Sequence, residues 1–86
     1  VHIQPDFRAF GENLRKLRKE KVRLTQSEFA LYVNMDRSYI SGLECGHANP
    51  SLDIIVRLAH GLGVHPGELL KPLPKVPLLS NGEPAS

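Results

Sequence analysis

The sequence predicts an all-α fold: a compact domain of five helices with no strands. Three observations carry this. Apolar residues recur at three- and four-residue intervals in several segments, the spacing of helices that bury one face. Those segments open on Asp, Thr or Ser, whose side chains can cap a helix start, and most close on Asn or Gly. The 86 residues are enough for one domain of this kind and too few for two.

The first helix is expected over residues 7–21. Asp6 is placed as its cap, and Phe7, Phe10, Leu14 and Leu17 form its inward stripe. After the short link Val22-Arg23-Leu24, in which Leu24 plugs the core, Thr25 and Glu28 form a capping box that opens the second helix. Phe29, Ala30 and Val33 make its buried side. Asn34 supplies a turn, since asparagine enters the left-handed region more cheaply than most residues. Asp36 is placed as the cap of a third helix, which turns Ile40 and Leu43 inward and stops before Gly46. Ser51 opens the fourth helix, with Leu52, Ile55, Leu58, Ala59 and Leu62 at helical spacing and Gly63 at its end. Pro66 suits the first turn of a short fifth helix reaching Leu70, with His65 ahead of it as a cap. Residues 1–71 are thus read as the domain and 72–86, with four prolines, as a flexible tail.

Composition excludes several classes. Hydrophobic residues make up 41% and charged ones 23%, ordinary values for a globular chain, and no apolar run could span a bilayer. Cys45 is the single cysteine, so no internal disulfide forms. The four histidines do not combine with it at a metal-ligand spacing. No Ser-His-Asp arrangement or phosphate-binding glycine loop is present, so neither an enzyme nor a cofactor site is expected. The net charge is only +2, yet six of the eleven basic residues fall between Arg15 and Arg23. Such a cluster attracts phosphates, although alone it equally describes a solvated helix face.

The pair of helices from Thr25 to Glu44 carries the functional expectation. Ala30 is small enough to let the next helix cross closely, and Asn34 sets the turn between them. This is the pattern of a helix-turn-helix. With Ile40 and Leu43 inward, the opposite face of the third helix offers Arg37, Ser38, Tyr39, Ser41 and Gly42. An arginine there can bond guanine O6 and N7 bidentately, and the serines can meet base edges or phosphates. Gly42 is unusual, because glycine inside a helix costs about 1 kcal/mol relative to alanine. Close approach of DNA is the favoured reason, against close packing within the protein.

The segment resembles the Cro/CI-type (XRE) family of bacterial and phage regulators, over about residues 10–70. Its marks are Leu14-Arg15-Lys16-Leu17-Arg18, Leu24-Thr25-Gln26-Ser27-Glu28-Phe29-Ala30, Ser38-Tyr39-Ile40-Ser41-Gly42-Leu43-Glu44, Asn49-Pro50-Ser51-Leu52 and Leu62-Gly63-Val64. The stretch from Asp36 to Glu44 is similar to the controller proteins of restriction–modification systems. The resemblance implies a lambda-repressor-like domain that binds double-stranded DNA and acts in the bacterial cytoplasm as a transcriptional repressor or activator. Gln26 would bond a phosphate. Arg37, Ser38, Tyr39, Ser41 and Gly42 would face the major groove. Arg18 and Glu44 would form a structural ion pair. Three departures are Asn34, where many members have glycine in the turn, the link at Val22-Arg23, one residue longer than usual, and Gly42, where a long base-reading side chain is common.

Ile54, Val56, Leu69 and Leu70 leave apolar surface beyond one small core. A homodimer would use it to present two recognition helices to a palindromic operator. Leu73, Val76, Leu78 and Leu79 could extend that interface. The competing readings are a protein-binding adaptor on the same fold, and an antitoxin that binds DNA together with a toxin. RNA polymerase is a further partner if the protein activates.

Overall fold

The first helix begins ahead of its apolar stripe, because Pro5 occupies its first position with φ already suited to a helix. The structure, a computed structural model, describes residues 4–73. Helix α1 covers Pro5–Leu17, and its cap is Gln4 rather than Asp6. The Gln4 Oε1 accepts from the backbone N–H groups of Asp6 and Phe7 at 2.6 and 3.2 Å. Asp6 instead lies inside the first turn, where a carboxylate favours the positive end of the helix dipole.

α1 then runs without a break into a wider π-helical segment, Arg18–Val22. The Arg23 N–H closes it by donating to the Arg18 carbonyl at 2.9 Å, five residues back. Arg23 itself is left-handed, with φ 55°. This wider turn takes up Val22 and leads into the link at Arg23. Leu24, half-buried, packs against the core behind it.

Helix α2, Gln26–Val33, opens on the capping box as expected. Thr25 Oγ1 accepts from the Glu28 N–H, and Glu28 Oε1 accepts from the Thr25 N–H. It closes on Asn34 at φ 58° and ψ 53°. Helix α3, Arg37–Glu44, starts from Asp36 in extended conformation, but the Asp36 side chain makes no capping bond. Its end is a Schellman motif: the His47 N–H donates to the Gly42 carbonyl and the Gly46 N–H to that of Leu43, with Gly46 at φ 80°. Helix α4, Leu52–Leu62, is capped by Ser51 and closed by Gly63. Helix α5, Pro66–Leu70, is capped by His65, whose Nδ1 accepts from the Gly67 N–H.

The five helices and the absence of strands among the described residues match the sequence expectation. All five feed one core, in which Leu14, Phe29, Ile40, Leu43, Leu58 and Leu69 are fully buried. Two apolar residues fall differently from expectation. Leu52 is 73% exposed although in register with Ile55. Helical side chains lean toward the N-terminus, so a side chain on the first residue leans off the helix end. Leu69 is wholly buried in this domain's own core and leaves no surface for a partner. Leu73 packs against the core, while Val76, Leu78 and Leu79 lie outside the described residues. Among the described residues no helix is long and apolar enough to cross a membrane.

Candidate nucleic-acid interface

Helix α3 is fixed on its inner side by Ile40 and Leu43, both with no exposed surface. Its last residue, Glu44, is buried as well, and a buried carboxylate requires partners. The structure brings Arg18 to it from α1's continuation. Arg18 Nε donates to Glu44 Oε2 at 2.7 Å and Nη2 to Oε1 at 3.0 Å, a two-pronged match of planar groups. Arg18 Nη1 donates to the Leu24 carbonyl at 2.7 Å. The hydrogen bonds to Glu44 raise the Arg18 pKa above its ordinary value, against the opposing effect of burial. A base with a raised folded-state pKa loses its stabilisation only as pH rises through that value, so this guanidinium stays charged at neutral pH.

Gln26, the first residue of α2, joins the same cluster. Its Nε2 donates to Glu44 Oε1 at 2.9 Å. An amide nitrogen carries two hydrogens, and no partner within the described residues takes the second. One glutamate thus ties the start of α2, the end of α3 and the end of α1 together.

The opposite end of the helix pair is held by a residue not singled out from sequence. Arg57, on α4, donates through Nη2 to the carbonyls of Val33 and Asn34 at 2.9 and 3.0 Å. These belong to the unpaired carbonyls that every helix end leaves, so Arg57 clamps the turn leading into α3. Two glycines also escaped notice. A Cβ on Gly11 would run into the backbone carbonyls of Leu43 and Glu44, so this glycine lets α1 and α3 touch backbone to backbone. A Cβ on Gly61 would meet the Val33 side chain at 2.5 Å, which brings α4 close to α2.

On the outer side, Arg37 and Ser38 are exposed, and Ser41 and Gly42 are half-buried. Tyr39 was expected in solvent. It is half-buried and packs against the core, because it lies one turn before Leu43 on the flank of the inward stripe. Arg37 stands on the first residue of α3 and makes no ion pair among the described residues. A cation there opposes the helix dipole at a cost of about 0.3–1 kcal/mol, so nothing in the fold accounts for it. Cys45, just after α3, is exposed.

Gly42 has space around it. A Cβ there would meet only the Ala48 Cβ, at an ordinary 3.9 Å. Packing within the protein is therefore not the reason for this glycine. Gly42→Ala is expected to stabilise the fold by about 1 kcal/mol through helix propensity, raising the melting temperature by about 4–8 °C in a domain of this size. Affinity for DNA is expected to fall at the same time if a duplex comes close at this point. A variant that melts higher and binds unchanged would place the closest approach elsewhere.

A buried core under two short helices, a left-handed turn between them and a polar outer face on the second define a helix-turn-helix regulator. The chain belongs to the helix-turn-helix family (HTH_3), whose model matches residues 14–69. It is 42% identical over 66 residues to the control protein C.MunI of a Mycoplasma species, covering 77% of this chain and 89% of that one. Its fold superimposes on the crystal structure of the restriction–modification controller protein C.AhdI from Aeromonas hydrophila with a TM-score of 0.73 and 42% identity, over 77% of this chain and 98% of the other. It is also similar to SinR, a master regulator for biofilm formation solved in complex with DNA. There the TM-score is 0.66 and the identity 31%, over 71% of this chain and 97% of the other.

Proposed function

We propose that the protein is a sequence-specific transcriptional regulator that lays α3 in the major groove of a palindromic operator as a homodimer. The observation that carries this is Arg37: exposed, without an ion pair among the described residues, and set against the helix dipole at the leading end of a helix whose inner face is fully anchored. In that position a guanidinium can bond guanine O6 and N7 in the groove. Ser38 and Ser41 follow on the same outer side, and Gly42 leaves room for the duplex. Tyr39 reaches a phosphate or a thymine methyl from the flank. Gln26 offers its second amide hydrogen to a phosphate at the start of α2.

The SinR–DNA complex supports DNA as the ligand, and the similarity to C.MunI and C.AhdI supports control of restriction–modification genes. A second copy is supported by the exposed Val56 and Leu70 and by Ile54, which is half-buried and packs against the core. The mechanism is occupancy in the bacterial cytoplasm: the bound dimer blocks a promoter, or recruits RNA polymerase from a neighbouring site. No chemistry is performed. The adaptor and antitoxin readings have no observation of their own in the structure.

Selection of bound sequences from a random duplex pool provides the operator and tests the reading. On that operator Arg37→Ala is expected to cost about 1–3 kcal/mol and to relax specificity at one base pair of each half-site. Equal losses on selected and random duplex would remove Arg37 from base reading. No binding to any duplex at low salt would overturn the function and favour a protein-binding adaptor.

A further inference from the structure

The basic segment between Arg15 and Arg23 is only partly used by the interface described above. Arg18 is committed to Glu44. Arg23 is held left-handed at the close of the π-helical segment, a conformation glycine adopts freely and other residues only against a steric penalty. That turn sets Arg23 beside Lys19. The two side chains line one open cleft together with Arg18, Leu24 and Thr25, the cap of α2. Both Lys19 and Arg23 are exposed, and neither forms an ion pair among the described residues. Thr25, at the edge of this cleft, is followed in the chain by Gln26, the first residue of α2.

We infer that Lys19 and Arg23 form a seat for a phosphate of the DNA backbone, adjoining the one that Gln26 contacts. The inference rests on the DNA reading and extends it to the link before the helix-turn-helix. Two cations that line one cleft, neither ion-paired among the described residues, match the charge of a duplex strand. The seat carries no base readout. It adds sequence-independent affinity and fixes the register of the domain along the strand.

The test uses the full chain and a short duplex of random sequence, titrated across a range of salt concentrations. Lys19→Gln and Arg23→Gln are each expected to weaken binding several-fold at about 0.1 M salt and to reduce the slope of log affinity against log salt by about one. Arg8→Gln is the control. It removes the same charge from an exposed site eleven residues before Lys19, about 16 Å along a helix, beyond the screening length of about 10 Å at 0.1 M salt. Its slope is expected to stay unchanged. Arg23→Gly separates charge from backbone: it relieves the left-handed strain, so the melting temperature rises while DNA affinity still falls. Slopes for Lys19→Gln and Arg23→Gln equal to that of Arg8→Gln would overturn the seat, as would Arg23→Gly binding like the unaltered protein. In either case the unaltered protein still binds duplex and the DNA reading stands. An unaltered protein that binds no duplex overturns the DNA reading and the seat with it.

Discussion

Glu44→Ala is expected to destabilise the protein by about 3–5 kcal/mol, the range for removing one partner of a buried ion pair. The magnitude follows from what remains. Arg18 is 5% exposed and would keep only its bond to the Leu24 carbonyl, with two prongs of its guanidinium unsatisfied away from water. Gln26 would lose its partner at the same time. A loss of this size is a large part of the about 5–15 kcal/mol that holds a small domain folded. In denaturant titrations the midpoint is expected to fall with little change in slope. Binding to the operator should weaken beyond the folding loss, because the same carboxylate anchors both helices of the motif. A change below about 1 kcal/mol, typical of a surface pair, would show that water reaches Arg18 after all.

Gly11→Ala is the second large effect expected, near the top of the about 1–3 kcal/mol usual for overpacking. The added methyl would sit 2.7 Å from the Glu44 carbonyl oxygen and closer still to that of Leu43. Both obstacles are backbone, so no rotamer change relieves them, and α1 and α3 must move apart. Helix propensity works the other way, by about 1 kcal/mol in favour of alanine. Thermal unfolding decides the sign: a fall in melting temperature is expected, and a rise would mean that the two helices separate easily. Since α3 is the element displaced, a fall in operator affinity should accompany it.

Features set by a residue and its near neighbours were legible in the sequence. The Thr25–Glu28 capping box, Ser51, and the turn residues Asn34, Gly46 and Gly63 all depend on backbone geometry within a few residues. The failures were of two kinds. Gln4 and Asp6 can each cap a helix, and Pro5 decides between them by taking the first helical position. Leu52, Tyr39 and Leu69 follow helical spacing correctly, but spacing does not say how far a neighbouring helix extends. The meeting of Arg18 and Glu44 came from resemblance, whereas the Gln26 bond to the same carboxylate had no local signal. Gly11, Gly61 and Arg57 were silent for the same reason: their importance lies in the backbone that another helix presents to them.

The anchoring of α3 has a thermodynamic consequence. Its inner face, its Schellman end, the Glu44 cluster and the Arg57 clamp order the helix before any ligand arrives. The entropy of ordering the reading head is then spent in folding and not in association. Binding should accordingly show a heat-capacity change in proportion to the contact area alone, without the larger signature of a segment that folds on its target. A duplex that fits poorly must bend to this helix, because the helix has little freedom to bend to it.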